Sequence, residues 1–178
     1  MVASLLFVAL AFFAVSQAGV IRNGAQGAAD AGALAHAQDA RDHLRPGLDL
    51  RRFKAEDWER LLAGSGFDVD AQCRAGYALA QLNDSSVTSC NAELPYFQVT
   101  VRTNYTLGSS VVPGISGKRG VATARATILD RECRLVDWGD GETVQIKCRG
   151  GSLVTFDPSS PELWAKLAPR LFDVRLID

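Results

Sequence analysis

The first charged side chain in this sequence is Arg22; from Met1 to Ile21 the only polar side chains are Ser4, Ser16 and Gln17. No other feature constrains the fold as much, because an uncharged apolar run of that length has to be hidden from water. As a helix rising ~1.5 Å per residue it measures roughly 31 Å, close to the ~30 Å hydrocarbon core of a bilayer. Residues 1–21 are therefore expected to form a transmembrane helix of the signal-anchor type. Ser16-Gln17-Ala18 also places small residues at the spacing a signal peptidase reads, so a secreted binding module released after Ala18 is the alternative expectation. Both kinds of segment ordinarily carry basic residues ahead of the apolar run, and none stands here. This leads to the further expectation that Met1 is an internal methionine of a longer reading frame.

The helical pattern does not stop at the first charge. No proline occurs between Gly19 and Leu44, and Ala25, Ala28, Ala29, Ala31, Ala33, Ala35, Ala37 and Ala40 all favour helix. Pro46-Gly47 is the natural stop, which predicts an alanine-rich stalk helix over residues 22–46 continuous with the apolar segment. Gly24, Ala28 and Gly32 recur every four residues, as do Ala29, Ala33 and Ala37. Ridges that low let another element approach closely, either a helix of a second protein or the chain's own globular part.

Gln26-Gly27-Ala28-Ala29-Asp30-Ala31-Gly32-Ala33-Leu34-Ala35, following an apolar helix, resembles the opening motif of the TadE/TadG-like proteins of bacterial tight-adherence (Flp-type) pilus systems, and the later layout resembles the small TadG-related members. The resemblance covers residues 1 to about 43. It implies a single-pass protein of the cell membrane with an extracytoplasmic domain, working in pilus assembly or as a minor pilin-like subunit. The partners it implies are the membrane and other pilus assembly or pilin-like proteins.

Residues 47–178 read as an extracytoplasmic α+β domain with short helices and an antiparallel sheet. Ala55, Trp58, Leu61 and Leu62 share a helical face that ends before Gly64, and Asp70 can cap a second helix with Cys73, Gly76, Tyr77 and Ala80 on one face. From Phe97 the period becomes two. Phe97, Val99, Val101, Tyr105 and Leu107 point one way, and Ala122, Ala124, Ala126 and Ile128 alternate in a second strand expected to pair with the first. The connection between them holds Val111, Val112, Pro113 and Ile115, apolar residues that either fold back on the core or form a contact loop for a partner. Val154 and Phe156 predict another strand. Ser160-Pro161-Glu162 opens a helix that Pro169 should close, and Phe172, Val174 and Leu176 predict a terminal strand.

Four cysteines, Cys73, Cys90, Cys133 and Cys148, lie beyond the apolar segment, an even count that suits an oxidising compartment. With Asp140-Gly141 as a two-residue turn, Leu135 falls opposite Ile146 and Cys133 opposite Cys148. Locality then pairs Cys73 with Cys90. Each bridge is worth roughly 3 kcal/mol by loop entropy.

Chemistry-bearing patterns are thin. The cysteine gaps do not supply the close pairs of a zinc site. His36, Asp39 and His43 line one side of the stalk and read as solvated polar residues, so neither a metal nor a cofactor is expected. Gly117-Lys118-Arg119 is no phosphate loop, Gly64-Ser65-Gly66 lacks the nucleophile-elbow spacing, and Asp84-Ser85-Ser86 follows a helix, not the strand a metal-binding loop of that kind would need. With both histidines on the stalk, a His-based triad has no base near the domain's serines. The expectation is no catalysis and no small-molecule substrate. A formal charge of -1 over 178 residues and a pI near 6.1 exclude the basic surface that nucleic-acid binding requires.

Overall fold

A computed structural model describes residues 2–70, 72–106, 117–138, 143–160 and 164–177, leaving out the side chains of residues 13–15, 17 and 18. The fold is α+β. One long helix, α1 (Val2–Asp42), leads into a 3-10 turn (Leu50–Arg52) and two short helices, α2 (Ala55–Leu62) and α3 (Arg74–Leu82). Strands β1 (Ser85–Glu93), β2 (Tyr96–Thr103), β3 (Val121–Asp130), β4 (Arg134–Asp137), β5 (Val144–Lys147) and β6 (Leu153–Phe156) follow, then α4 (Trp164–Leu171) and β7 (Phe172–Ile177). The strands form two antiparallel sheets, one in the order β1-β2-β3-β7 and a smaller one in the order β4-β5-β6.

The alternation read over Phe97–Val101 lays β2 down with Phe97, Val99 and Val101 fully buried. The strand ends at Thr103, itself buried, so Tyr105 lies beyond it and is exposed, while Leu107 lies outside the described residues. Strand β3 pairs with β2 as expected, Val99 opposite Ala124 and Phe97 opposite Ala126. Its small inner residues leave a shallow floor on which α1 rests.

Strand β1 is not signalled by the periodicity of the sequence. Its sequence, SSVTSCNAE, has no apolar alternation, because it is an edge strand held by its ladder to β2 across the two-residue turn Leu94-Pro95. The Leu94–Pro95 peptide is cis.

Helix α2 buries Trp58, Leu61 and Leu62 and stops before Gly64, which takes φ +87°. In α3 the face is narrower than expected: Gly76 and Ala80 are buried but Tyr77 is largely exposed. Helix α4 runs two residues past Pro169 to Leu171, so that proline does not close it. Burial of Ala168 and Leu171 outweighs the one backbone hydrogen bond a proline removes near a helix end. The Ser160-Pro161-Glu162 start and the Asp140-Gly141 turn fall partly or wholly outside the described residues. The register of that hairpin is nonetheless visible on either side, with Leu135 opposite Ile146 and a bulge before Asp137.

Both disulfides join the cysteines paired above: Cys73–Cys90 ties the start of α3 to β1, and Cys133–Cys148 joins the segments flanking β4 and β5. The latter pair has Cα atoms 3.9 Å apart, closer than the ~5.5 Å of a hydrogen-bonded ladder pair, because the ladder ends at Arg134 and Lys147. Aromatic edges fill the other end of the core, where Phe53 and Phe156 flank Trp58 and Phe67 meets Phe172 at 4.9 Å.

Candidate functional site

Helix α1 is the element on which two environments meet. Over Val2–Val20 the described large side chains stand in the open: Val2, Leu5, Leu6, Phe7, Val8, Leu10, Phe12 and Val20 are all exposed, Phe12 at 76%. Successive residues turn by ~100°, so Leu5-Leu6-Phe7-Val8 presents apolar surface around the whole circumference. The Ser16 hydroxyl turns back to donate to the Phe12 carbonyl at 2.9 Å, which leaves it no unmet polar demand. Among the described residues no helix is long and apolar enough to cross a membrane.

At Ile21 the character reverses. Ile21, Ala25, Ala28, Ala29, Ala33, Ala37 and Ala40 are buried to within a few per cent, and the last five belong to the same hydrophobic core as β2, β3 and α4. The helix ends at Asp42, ahead of Pro46, and of the two alternatives open for its small-residue face the structure takes the second, the stalk residues packing on the chain's own globular part. Of the residues expected to serve helix packing, Ala28, Ala29, Gly32, Ala33 and Ala37 are already occupied by the chain's own fold, and Gly24 lies under Tyr105. The physical reason is close approach. A Cβ on Gly32 would stand 3.2 Å from Val99 Cγ1 and 3.4 Å from the Gly76 carbonyl oxygen, so sheet and α3 both press on that ridge.

Sequence reasoning did not find the collar where the exposed arm enters the body. Thr103 N–H donates to the Gly120 carbonyl at 2.9 Å, Gly120 N–H donates to Thr103 Oγ1 at 3.0 Å, and that hydroxyl donates to the Tyr105 carbonyl at 2.8 Å. A Cβ on Gly120 would fall 2.7 Å from Ile21 Cγ2 and 2.8 Å from the Ile21 carbonyl oxygen. In the sequence Thr103 and Gly120 carry no pattern that marks them out; only their positions at the end of β2 and just before β3 bring them together. Val111, Val112, Pro113 and Ile115, the expected contact loop, lie outside the described residues; the segments flanking them meet α1 at this collar.

The second concentration of chemistry is a buried imidazole beside a disulfide. His36, expected to be solvated, is 3% exposed; its ring lies 5.2 Å from that of Phe97, and Nδ1 is 3.6 Å from Cys90 Sγ. Nε2 is buried with no hydrogen-bond partner among the described residues. Desolvation lowers the pKa of His36, against the opposing charges of Asp70 and Asp39, which favours the neutral ring. His43 and Asp39 remain at the surface as an i,i+4 pair 3.5 Å apart. Asp70 is not the N-cap expected of it, since Cys73 holds that position without a side-chain cap; three residues earlier, the Asp70 carboxylate accepts the N–H of Arg74, the first residue of α3. Backbone N–H donation from Arg74, the Arg74 guanidinium and the Gln72 N–H together hold its carboxyl down at about 2.

Surface grooves are shallow, the one between the end of α1 and α4 being about 610 Å³ and lined by His43, Arg45, Leu50 and Trp164 among others. His43 and Ser159 both line it, and among the described residues no hydrogen bond joins them, His43 Nδ1 lying 2.8 Å from the Asp39 carbonyl oxygen. Compared with known proteins, the chain matches no family model, no curated protein and no solved structure.

Proposed function

We propose that this protein is a membrane-anchored pilus assembly protein or minor pilin-like subunit, whose exposed amino-terminal arm lodges in the cell membrane or among equivalent arms while the α+β body faces the extracytoplasmic side. The observation that carries the reading is the continuity of α1, exposed and apolar over its first half and the core of the body over its second. Such a helix ties the orientation of the arm to that of the body through one unbroken run of backbone. A filament or assembly platform needs that coupling, since heterologous contacts propagate only between rigidly oriented subunits. Two disulfides suit an extracytoplasmic body. The work is done through contacts, with no bond broken, no cofactor and no small-molecule substrate.

One observation favours a second reading, release as a secreted binding module. Among the described residues burial begins at Ile21, three residues after Ala18, so cleavage there would leave the described core intact. Fractionation separates the two. Carbonate-resistant membrane association of the full chain, with crosslinks from a photoreactive residue at Phe7 to lipid or pilin-like chains, supports the anchor. A free extracellular species beginning at Gly19, with no membrane-bound pool, overturns it.

A further inference from the structure

His36, Cys73 and Cys90 place an imidazole and two sulfurs all within 4.8 Å of one another. Three elements that are distant in sequence supply them: the core half of α1, the residue before α3, and the middle of β1. Gly76 makes the room, since a Cβ there would stand 2.7 Å from Cys73 Sγ. The imidazole is committed elsewhere by no strong hydrogen bond, Nε2 having no partner among the described residues and Nδ1 only the sulfur at 3.6 Å. That last distance has a chemical meaning. Zinc bonds of ~2.0 Å to nitrogen and ~2.3 Å to sulfur at a tetrahedral angle put the two ligand atoms about 3.5 Å apart. The Cα atoms of Cys73 and Cys90 are 6.5 Å apart, at the wide end for a disulfide, so side-chain rotation lets two thiolates straddle an ion.

We propose that this cluster is a metal site in the dithiol state of the protein, binding one thiophilic d10 cation such as Zn²⁺ through His36 Nδ1 and the thiolates of Cys73 and Cys90. The disulfide is its closed, metal-free form. Opening needs a dithiol reductant: its two thiols give up two electrons and two protons to the Cys73–Cys90 bond and leave as a disulfide. The two protein thiols then lose their protons as the cation binds. Water takes the fourth position, as at zinc sites with three protein ligands. The Cys133–Cys148 bridge lacks this setting, Cys133 Sγ facing the Leu171 carbonyl oxygen at 3.6 Å.

The test uses the full chain in detergent, with Cys133→Ser and Cys148→Ser to leave a single pair, reduced by a dithiol and desalted without oxygen. Expected results are one Zn²⁺ per chain by competition with a chromophoric chelator, sulfur-to-metal charge-transfer bands with Co²⁺, and protection of Cys73 and Cys90 from alkylation. Untreated disulfide protein should bind none. His36→Leu, which keeps the core filled, should weaken binding at least about tenfold while leaving the disulfide form folded. Equal affinity in His36→Leu, failure of Zn²⁺ to protect Cys73 and Cys90, or a reduced chain that neither keeps nor regains its helical circular dichroism with Zn²⁺ would each overturn the proposal.

Discussion

Gly120 and Gly27 show how one residue type meets opposite demands. A side chain at Gly120 runs into the Ile21 backbone, whereas nothing lies within 4 Å of a Cβ on Gly27, inside α1. Gly120→Ala is expected to destabilise the protein by about 1–3 kcal/mol through forced backbone displacement. Gly27→Ala should stabilise it by up to about 1 kcal/mol through helix propensity. Chemical denaturation of both variants measures the contrast. At Asp70 the prediction concerns pH. Its folded pKa of about 2 lies below the unfolded value of ~3.9, so its stabilising contribution is present above the unfolded value and is lost as pH falls through the folded one. The melting temperature of Asp70→Asn should lie below that of the parent at neutral pH, and the gap should close as pH approaches about 2. His36 adds to acid sensitivity in the same direction, since its lowered pKa means that protonation favours the unfolded chain.

Among elements, the legible ones are those whose burial is written into a period. β2 and β3 could be read from Phe97-Val99-Val101 and Ala124-Ala126-Ile128 because one face of each touches the core. α2 could be read from Trp58, Leu61 and Leu62 for the same reason. β1 could not, since an edge strand of serines, threonine and asparagine owes its conformation to a ladder formed with residues up to eighteen positions away. The Cys133–Cys148 register was legible because hairpin geometry is local. Replacing both cysteines with serine should cost up to about 3 kcal/mol, measured by urea unfolding under non-reducing conditions, with the β4–β5 register retained. The close-packing face of α1 was also legible, but the surface that covers it was not: a row of alanines specifies a short approach distance, not the identity of the approaching partner.

For the molecule as a whole, the arm and the body are separable in energy though continuous in backbone. No described residue before Ile21 is buried, so deletion of residues 1–18 should leave the melting temperature within about 2 °C of the full chain and remove the need for detergent. Differential scanning calorimetry alongside a sedimentation assay checks both halves of that statement. Sequence by itself determined the uncharged arm, the unbroken helix, the strand period and the two cysteine pairs, because each depends on spacing along the chain. Only the tertiary structure decided that the small-residue ridge is filled from within, that His36 is taken out of water beside a disulfide, and that Thr103 and Gly120 collar the helix. Those outcomes depend on which distant surfaces meet, and burial and close approach are properties of pairs of segments that neither member carries alone.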